Sequence, residues 1–342
     1  MWKYQRRKEK MNAYEIVMQS REALVNKIIQ NMENGYILPR EQWNRNAFNP
    51  QNPLSQAIYQ GGNRFRLMYA AVEQGYEDPR WVTYKQAKEA GLKFKSYDRE
   101  KGILCEKWIF TKKEIVKEED ESGKIEKKEK DILLSRPMVN YFTVYNAQEF
   151  LNFPALDLDG RQIEKKRVVE LTDEIIAVSE CPIKEMKQGR AYYSPSDDKI
   201  VLPPREAFIN DEAFLGTLLH EMAHSTGHKS RLDRSIINQF GSEDYAREEL
   251  RAEMAAIFME GDFQIKYDKE HFNSHTQYLE SWIGALKKDK NELFRAISDA
   301  QKASERIVGN YEKKYGLLQK EKKLGKEALN VKKVRSRKGK SR

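Results

Sequence analysis

The stretch from Leu219 to His228 contains the pattern His-Glu-x-x-His, formed by His220, Glu221 and His224. Residues four apart share one face of a helix, so the two histidines can offer imidazole nitrogens to a single metal ion. Glu221 stands beside the first histidine, where its carboxylate can take a proton from a water molecule that the metal activates. The stretch therefore predicts a metal site with hydrolytic chemistry.

The flanking sequence predicts the helix that this pattern requires. Asn210 or Asp211 can cap its start, apolar residues follow with helical spacing, and Gly227 suits a left-handed position at its end. The alternative is a pair of core histidines beside a surface glutamate. We favour a zincin-type metal site, because the motif occurs together with its expected helix.

The third metal ligand must lie outside this stretch. Metzincins continue His-x-x-Gly-x-x-His, and here Ser230 occupies the last position. His271 and His275 are also four apart, but no glutamate follows the first and no apolar helix surrounds them. We expect these two histidines at the surface or in a supporting role.

A second helix, predicted over residues 242–260, offers two carboxylates. Glu249 and Glu253 fall in the middle of its apolar, small-residue face, where a carboxylate is costly unless it is paired or bound to metal. The opposite, solvent-facing side is predicted to hold Arg247, Glu248 and Arg251. By periodicity alone, either Glu249 or Glu253 can be the ligand.

Two short strands are predicted just before the metal helix. Lys199 to Leu202 is our candidate for an edge strand that pairs with an extended peptide, and a plain hairpin covering the core is an equal alternative. Three side chains are candidates for stabilising an oxyanion: Tyr193, Tyr245 and His228.

Composition and charge bound the class of protein. At 342 residues, two domains are expected, no stretch approaches a membrane span, and the two cysteines form no disulfide framework. These features predict a cytoplasmic protein without a membrane partner. The net charge is +9; residues 1–155 and 319–342 are basic, whereas 156–318 is acidic. A polyanion would therefore meet the basic segments, unless these are only a solubilising tail and ordinary surface lysines.

The N-terminal half reads as a mixture of helix and strand. An amphipathic helix is predicted over 12–34 after a basic extension (1–11), and strands are predicted at 103–110 and 139–145. The charged insertion 112–131 between them is either a protruding hairpin or a flexible segment. Aromatic and basic residues alternate through this half, which suits single-stranded nucleic acid, although an aromatic core under a lysine-rich surface explains the pattern as well.

Several motifs in this half resemble the N-terminal domain of the ArdC antirestriction family, which is associated with single-stranded DNA binding. They are Tyr59-Gln60-Gly61-Gly62-Asn63, Trp81-Val82-Thr83-Tyr84-Lys85-Gln86-Ala87 and Phe142-Thr143-Val144-Tyr145-Asn146-Ala147-Gln148. The resemblance continues through the metal motif and Arg231-Leu232-Asp233-Arg234 to Asp299-Ala300-Gln301-Lys302-Ala303, and covers roughly residues 12–315 in the family's order.

The resemblance implies an α+β fold with two domains. Residues 12–155 would form an α+β domain that binds single-stranded DNA, and 156–318 a mainly helical, zincin-like metallopeptidase domain with a small edge sheet. Beyond the resemblance, the basic composition of 319–342 predicts a tail that is either disordered or a fraying helix. The DNA-binding candidates are Asn63, Arg64, Arg66, Trp81, Tyr84, Lys85, Lys93 and Lys95. The implied biology is protection of incoming plasmid or phage DNA from host restriction.

The site can also be assigned by resemblance, here to gluzincins, in which the first acid of such a pair ligates and the second orients a histidine. Glu249 would then be the ligand and Glu253 its partner, with the reverse order as the alternative. Zn²⁺ is the expected cofactor, Mn²⁺ a possible substitute, and Glu221 the general base. Rival functions are a coat of single-stranded DNA with a purely structural metal, and a DNA-tethered peptidase with other protein targets. An intact Glu221 argues against the first, because a structural site needs no base.

Overall fold

The computed structural model describes residues 11–36, 49–119, 125–156, 165–236, 242–265 and 279–316. The predictions for residues 1–10, for His271 and His275 and for the tail 319–342 lie outside these residues. Among the helices that are described, none is long and apolar enough to cross a membrane.

The described part of the N-terminal half contains three α-helices: α1 (Ala13–Glu33), α2 (Gly61–Gln74) and α3 (Tyr84–Glu89). The predicted helix over 12–34 is α1. Asn12 starts it, because its side chain accepts a hydrogen bond from the Glu15 amide (3.0 Å) and the Glu15 carboxylate accepts one from the Asn12 amide (2.8 Å). Such reciprocal capping satisfies backbone donors that the first turn cannot pair internally.

An antiparallel sheet packs beside these helices. It contains β3 (Trp81–Thr83), β4 (Ile103–Glu119) and β5 (Ile125–Asn146) in the order β3-β5-β4, and two-residue strands β1 (Gln51–Asn52) and β2 (Ala57–Ile58) form a separate pair. The strands predicted at 103–110 and 139–145 are the inner parts of β4 and β5.

The charged insertion extends this sheet as a hairpin. After a register shift between Ile109 and Thr111, β4 and β5 stay paired out to Glu119 and Ile125. Of the two predicted alternatives, a protruding hairpin or a flexible segment, the described part of 112–131 therefore forms the hairpin. Where side chains are described, its lysines and acids are exposed or partly exposed, which is typical of a strand pair with both faces in water.

The C-terminal half is mainly helical. Its helices are α4 (Lys165–Ile176), α5 (Asp211–Ser225), α6 (Glu243–Phe263), α7 (Leu279–Lys288) and α8 (Glu292–Tyr315), and its strands are β6 (Ile183–Glu185), β7 (Tyr192–Ser194) and β8 (Lys199–Leu202). The predicted α+β architecture, with a mainly helical second domain and a small sheet, is confirmed.

The order of the small sheet corrects one prediction. β8 lies between β6, which it pairs in parallel, and β7, which it pairs antiparallel. Lys199 to Leu202 is therefore the central strand, and its backbone groups on both sides already have partners. Among the described strands, β7 is paired on one side only and lies next to the metal helix.

One hydrophobic core runs through both halves. Residues of α1 and α2, such as Ile28 and Phe65, belong to the same buried cluster as Leu218 of α5, Phe258 of α6 and Ile297 of α8. The predicted boundary between 155 and 156 remains a prediction, but the core is not divided there.

A buried ion pair reinforces this junction. Arg64 of α2 donates to Asp262 at the end of α6 (3.1 and 3.2 Å) and to the Phe258 carbonyl (2.8 Å). Asp262 also accepts from Ser304 of α8 (3.1 Å). Three helices from different parts of the chain thus meet at one carboxylate.

Candidate metal centre

Helix α5 places the residues of the His-Glu-x-x-His pattern at its C-terminal end. It begins after Asn210, whose side chain accepts from the Ala213 amide at 2.7 Å, as the sequence predicts. Gly227 differs from our prediction, because its backbone is not left-handed. A Cβ atom at Gly227 would lie only 2.3 Å from Ile236 Cγ2. Glycine is required there by the close approach of the segment that follows the helix.

His220, His224 and Glu249 converge on one point. Their ligating atoms all lie within 4.8 Å of one another, and the two Nε2 atoms are 3.1 Å apart. Glu249 reaches them from α6, with carboxylate oxygens 3.5 Å from His220 Nε2 and 3.6 Å from His224 Nε2. This set of two imidazoles and one carboxylate could hold a divalent metal ion.

A different carboxylate faces the Nδ1 atom of each histidine. Glu253 Oε2 lies 3.4 Å from His220 Nδ1, and Glu248 Oε1 lies 3.3 Å from His224 Nδ1. Carboxylates behind metal-ligating histidines fix the orientation of the ring and raise its basicity. Both histidines are therefore arranged with Nε2 towards the common point and Nδ1 towards a support.

The position of Glu248 contradicts the sequence prediction that it faces solvent. It is buried, and it accepts from Arg234 at 2.6 and 3.2 Å. The segment after α5 folds back over this side of α6, so the helix has no fully solvated face here. Arg247 and Arg251, by contrast, are partly exposed and pair with acids on α6 and α8.

Glu221 is also buried, next to its predicted site of action. The backbone amide of Tyr193 in β7 lies beside its carboxylate. Burial raises the pKa of Glu221; the charges of His220 and His224 lower it less, and the Tyr193 amide lowers it slightly. A carboxylate with a raised pKa is suited to taking up and releasing a proton near neutral pH.

The charges of the site favour a cation. Burial by itself lowers the pKa of His220, but hydrogen bonds with Glu249 and Glu253 and the charge of Glu221 raise it well above its usual value. Burial raises the pKa of Glu249, yet His224 and His220 hold it at about 2. Four buried carboxylates surround the two histidines, and Arg234 is the cation that pairs with one of them. The donor set therefore fits a divalent ion.

Of the three oxyanion candidates, Tyr245 lies nearest to the ligands, because its side chain hydrogen-bonds to Glu249. The Tyr193 hydroxyl donates to Asp198 Oδ1 (2.7 Å) and accepts from Arg231 (3.0 Å), so its proton is already used. His228 Nδ1 lies 2.8 Å from Ser230 Oγ. Neither Tyr193 nor His228 has a contact to the three ligands among the described residues.

Four of the DNA-binding candidates are structural. Arg64, Arg66 and Trp81 are buried, and Asn63 exchanges two hydrogen bonds with the backbone of Glu106. Arg66 pairs with the Glu106 side chain as Arg64 does with Asp262. The structure gives these four residues no access to DNA, because Trp81 is fully buried and the side chains of Asn63, Arg64 and Arg66 hydrogen-bond to other parts of the chain.

The other four candidates are exposed, and the ring of Phe94 connects the two segments that carry them. Tyr84, half exposed, is 5.6 Å from the ring of Tyr97, which the sequence reasoning missed, and stacks on Phe94 at 6.1 Å. The remaining candidates are Lys85, beside Tyr84, and Lys93 and Lys95, which flank Phe94. We call Tyr84, Lys85, Lys93, Lys95 and Tyr97 the aromatic–lysine face.

Two family profiles match the chain. The N-terminal domain of anti-restriction factor ArdC matches residues 18–145, and the zincin-like metallopeptidase family matches residues 170–299. Together they cover both halves of the fold described above, including α5 and α6.

Curated relatives include longer proteins. A DNA primase TraC of Escherichia coli is 36% identical over 296 residues, which are 84% of this chain and 27% of the relative. The chain thus spans about a quarter of the length of that primase. The uncharacterized protein y4eC of Sinorhizobium fredii is 27% identical over 287 residues, 90% of its own length.

Solved structures match over nearly their whole length. The antirestriction protein ArdC of plasmid R388 is 30% identical, in a metal-free crystal structure (TM-score 0.63, 86% of this chain and 98% of that one) and in a Mn(II)-bound one (TM-score 0.64, 85% and 97%). The agreement of fold, both family profiles and these structures leads to one conclusion: the chain belongs to the ArdC antirestriction family.

Proposed function

We propose that this protein is a zinc-dependent peptidase that also binds single-stranded DNA, and that it protects the incoming DNA of a mobile element. The observation that carries the peptidase proposal is the convergence of His220, His224 and Glu249 within 4.8 Å, with the buried Glu221 beside them. A site with three ligands and a neighbouring carboxylate base is the arrangement of catalytic rather than structural zinc.

In this proposal His220, His224 and Glu249 hold the metal. When bound, Zn²⁺ supplies Lewis acidity, which polarises a carbonyl and makes water a better nucleophile. Glu253 orients His220, consistent with its 3.4 Å contact to Nδ1. The Mn(II)-bound structure of the ArdC protein of R388 makes Mn²⁺ a reasonable substitute.

Glu221 would be the general base. It would accept the proton of the attacking water and later deliver it to the leaving amine, a dual use for which its raised pKa is suited. The free side of β7 would bind the substrate backbone by strand addition, since β8 is already paired on both sides. Tyr245 is the remaining candidate for stabilising the oxyanion.

The aromatic–lysine face would bind single-stranded DNA. Bases can stack on the exposed rings of Tyr84 and Tyr97, while Lys85, Lys93 and Lys95 contact phosphates. Among the ion pairs of the described residues, these three lysines take part only in the exposed contact of Lys85 to Glu89, at 3.9 Å.

Host proteins such as restriction enzymes are the proposed substrates, and the proposed location is the cytoplasm, where the buried, free Cys105 and Cys181 would stay reduced. A protein that only coats DNA around a structural metal, or a DNA-tethered peptidase with other targets, remains the alternative. The position of Glu221 speaks against the first, because nothing in a structural site requires a buried base at that place.

The test compares the wild-type protein with Glu221→Gln in cells that carry a restriction system. Both proteins should contain about one zinc per chain, and new protein N-termini, measured by mass spectrometry, should arise with the wild type alone. Loss of zinc from the variant would mean that base and ligand are misassigned. DNA protection by both proteins without new N-termini would favour the structural-metal alternative.

A further inference from the structure

The segment Arg231-Leu232-Asp233-Arg234 folds back against the end of the metal helix. The Leu232 amide donates to the Thr226 carbonyl, and the Arg234 amide donates to the Gly227 carbonyl, both at 2.9 Å. The absence of a side chain at Gly227 permits this approach. Two arginines three residues apart are thereby held beside α5, and they extend towards different parts of the site.

Arg234 binds the carboxylate that lies behind His224, one of the candidate metal ligands. Its guanidinium binds Glu248 through two nitrogens (2.6 and 3.2 Å), and Glu248 faces His224 Nδ1 at 3.3 Å. The same guanidinium donates to Thr226 Oγ1 (2.7 Å) and to the Ala223 carbonyl (3.0 Å). Arg234 therefore locks the Glu248 carboxylate to the helix that carries His224.

Arg231 binds the β7–β8 hairpin, which lies beside the candidate base Glu221. Its guanidinium donates to the Ser225 carbonyl (2.6 Å), to both carboxylate oxygens of Asp198 and to the Tyr193 hydroxyl (3.0 Å). Asp198 closes the β7–β8 hairpin with a left-handed backbone (φ 47°). The Tyr193 backbone amide lies beside Glu221; burial raises the pKa of this carboxyl, and the amide lowers it. Through Tyr193 and Asp198, Arg231 therefore ties the strand next to this carboxylate to the end of α5.

We propose that Arg231 and Arg234 are positioning residues that act through different partners, Arg234 through Glu248 on His224 and Arg231 through the β7 hairpin on Glu221. The proposal rests on the proposed metal centre. Each guanidinium makes a forked contact to a carboxylate that a lysine cannot reproduce, although a lysine would keep the charge. A lysine at one of the two positions should therefore disturb the contacts of that arginine and leave those of the other intact.

The first measurement is zinc affinity of the full-length protein, by competition with a chromophoric chelator. Arg234→Lys and Glu248→Gln should each weaken zinc binding about 10–100-fold, the usual effect of losing a hydrogen-bonded partner behind a ligand. Arg231→Lys and Asp198→Asn should bind zinc as the wild type does. Arg247→Lys is the matched control, since it makes the same exchange one residue from Glu248 but pairs with Glu243 and Asp244.

The second measurement is amide hydrogen exchange at Tyr193 in the zinc-loaded protein. Arg231→Lys and Asp198→Asn should accelerate exchange of this amide about 10-fold or more, because they weaken the charged hydrogen bonds that hold the β7–β8 hairpin in place. Arg234→Lys, compared at saturating zinc, should leave it unchanged. This readout does not depend on knowing the peptide substrate.

The outcomes separate the inference from the function it rests on. Normal zinc affinity in Arg234→Lys and Glu248→Gln, or unchanged exchange in Arg231→Lys and Asp198→Asn, would overturn the positioning roles. If every variant of both arginines changed both readouts, the segment would be a general folding element and the separation would be wrong. If His220→Ala also retained zinc, the metal centre itself would be misplaced, and the fault would lie with the proposed function.

Discussion

Arg64 on α2 lies 3.1 Å from Asp262 at the end of α6, with both side chains almost completely buried. The pair joins the N-terminal half to the same helix that presents Glu249 to the candidate metal centre. Because α6 carries both groups, the fold of one half supports the placement of ligands in the other.

Breaking this pair should destabilise the whole molecule. Removing one partner of a buried ion pair typically costs about 3–5 kcal/mol, since the other charge stays buried without compensation. We expect a loss of that size in the free energy of unfolding for Arg64→Ala or Asp262→Ala, measured by urea denaturation. Lys27→Ala, which removes an exposed pair with Glu73, should cost less than about 1 kcal/mol. A small loss at Arg64 would contradict the role given to the bridge.

Glu249 and Glu253 should not be equivalent. Glu249→Ala removes a ligand and should leave the purified protein free of zinc after dialysis against a mild chelator. Glu253→Ala frees His220 to tilt and should weaken zinc binding about 10–100-fold. Asp244→Ala, exposed in the first turn of α6, is the control and should bind zinc normally. The reverse order of the first two effects would exchange ligand and support.

DNA binding should depend on the aromatic–lysine face. Tyr84→Ala or Tyr97→Ala should weaken binding of a single-stranded oligonucleotide by about 1–3 kcal/mol, because a stacked base is lost. Replacing Lys93 or Lys95 with alanine should lower the slope of log K against log salt by about 0.7 each. Fluorescence anisotropy of the full-length protein measures both quantities.

The matched control for DNA binding is Lys112→Ala, an exposed lysine on the β4–β5 hairpin outside this face. It should change neither the affinity nor the salt slope. If Lys112→Ala had the larger effect, DNA would bind along the hairpin and the aromatic–lysine face would not be the site.

Lowering the pH should reduce the contribution of Glu106 to the free energy of unfolding. Burial raises its pKa, but Arg21, Trp108 and Arg66 outweigh burial and hold the pKa below the ordinary 4.5. A carboxyl with a lowered folded-state pKa stabilises the fold above its ordinary pKa and loses this contribution as the pH falls through the folded-state value. Wild type should exceed Glu106→Gln in stability by about 3 kcal/mol at pH 7, and the gap should narrow below about pH 4.5. Urea denaturation at several pH values checks this; a constant gap would contradict it.

Local patterns predicted the elements that local forces determine. The helix over 12–34 followed from apolar periodicity, and the metal helix from periodicity together with a cap at Asn210 or Asp211; the structure selects Asn210. The same periodicity brought Glu249 and Glu253 towards the histidines. It failed for Glu248, because the covering residue Arg234 comes from a loop that periodicity does not describe.

The remaining errors have the same origin in distant contacts. Arg64 and Arg66 looked like phosphate contacts, but their carboxylate partners lie 198 and 40 residues away. β8 looked like an edge strand until β6 was seen to pair with its other side. In the sequence, the motif Arg231-Leu232-Asp233-Arg234 indicated a family resemblance and nothing more. Two arginines directly after a metal helix could also have indicated that carboxylates lie close to that helix.

The continuous core also bears on how the chain is synthesised. α1 and α2 leave the ribosome long before α8, whose residues Ile297 and Ile307 join the same cluster. At about 5–20 residues per second, the stretch from the end of α2 to the end of α8 takes about 12–50 s to translate. Throughout that interval Phe65 and Met68 lack the α8 residues that complete their cluster, so this part of the nascent chain keeps apolar surface exposed until α8 is made.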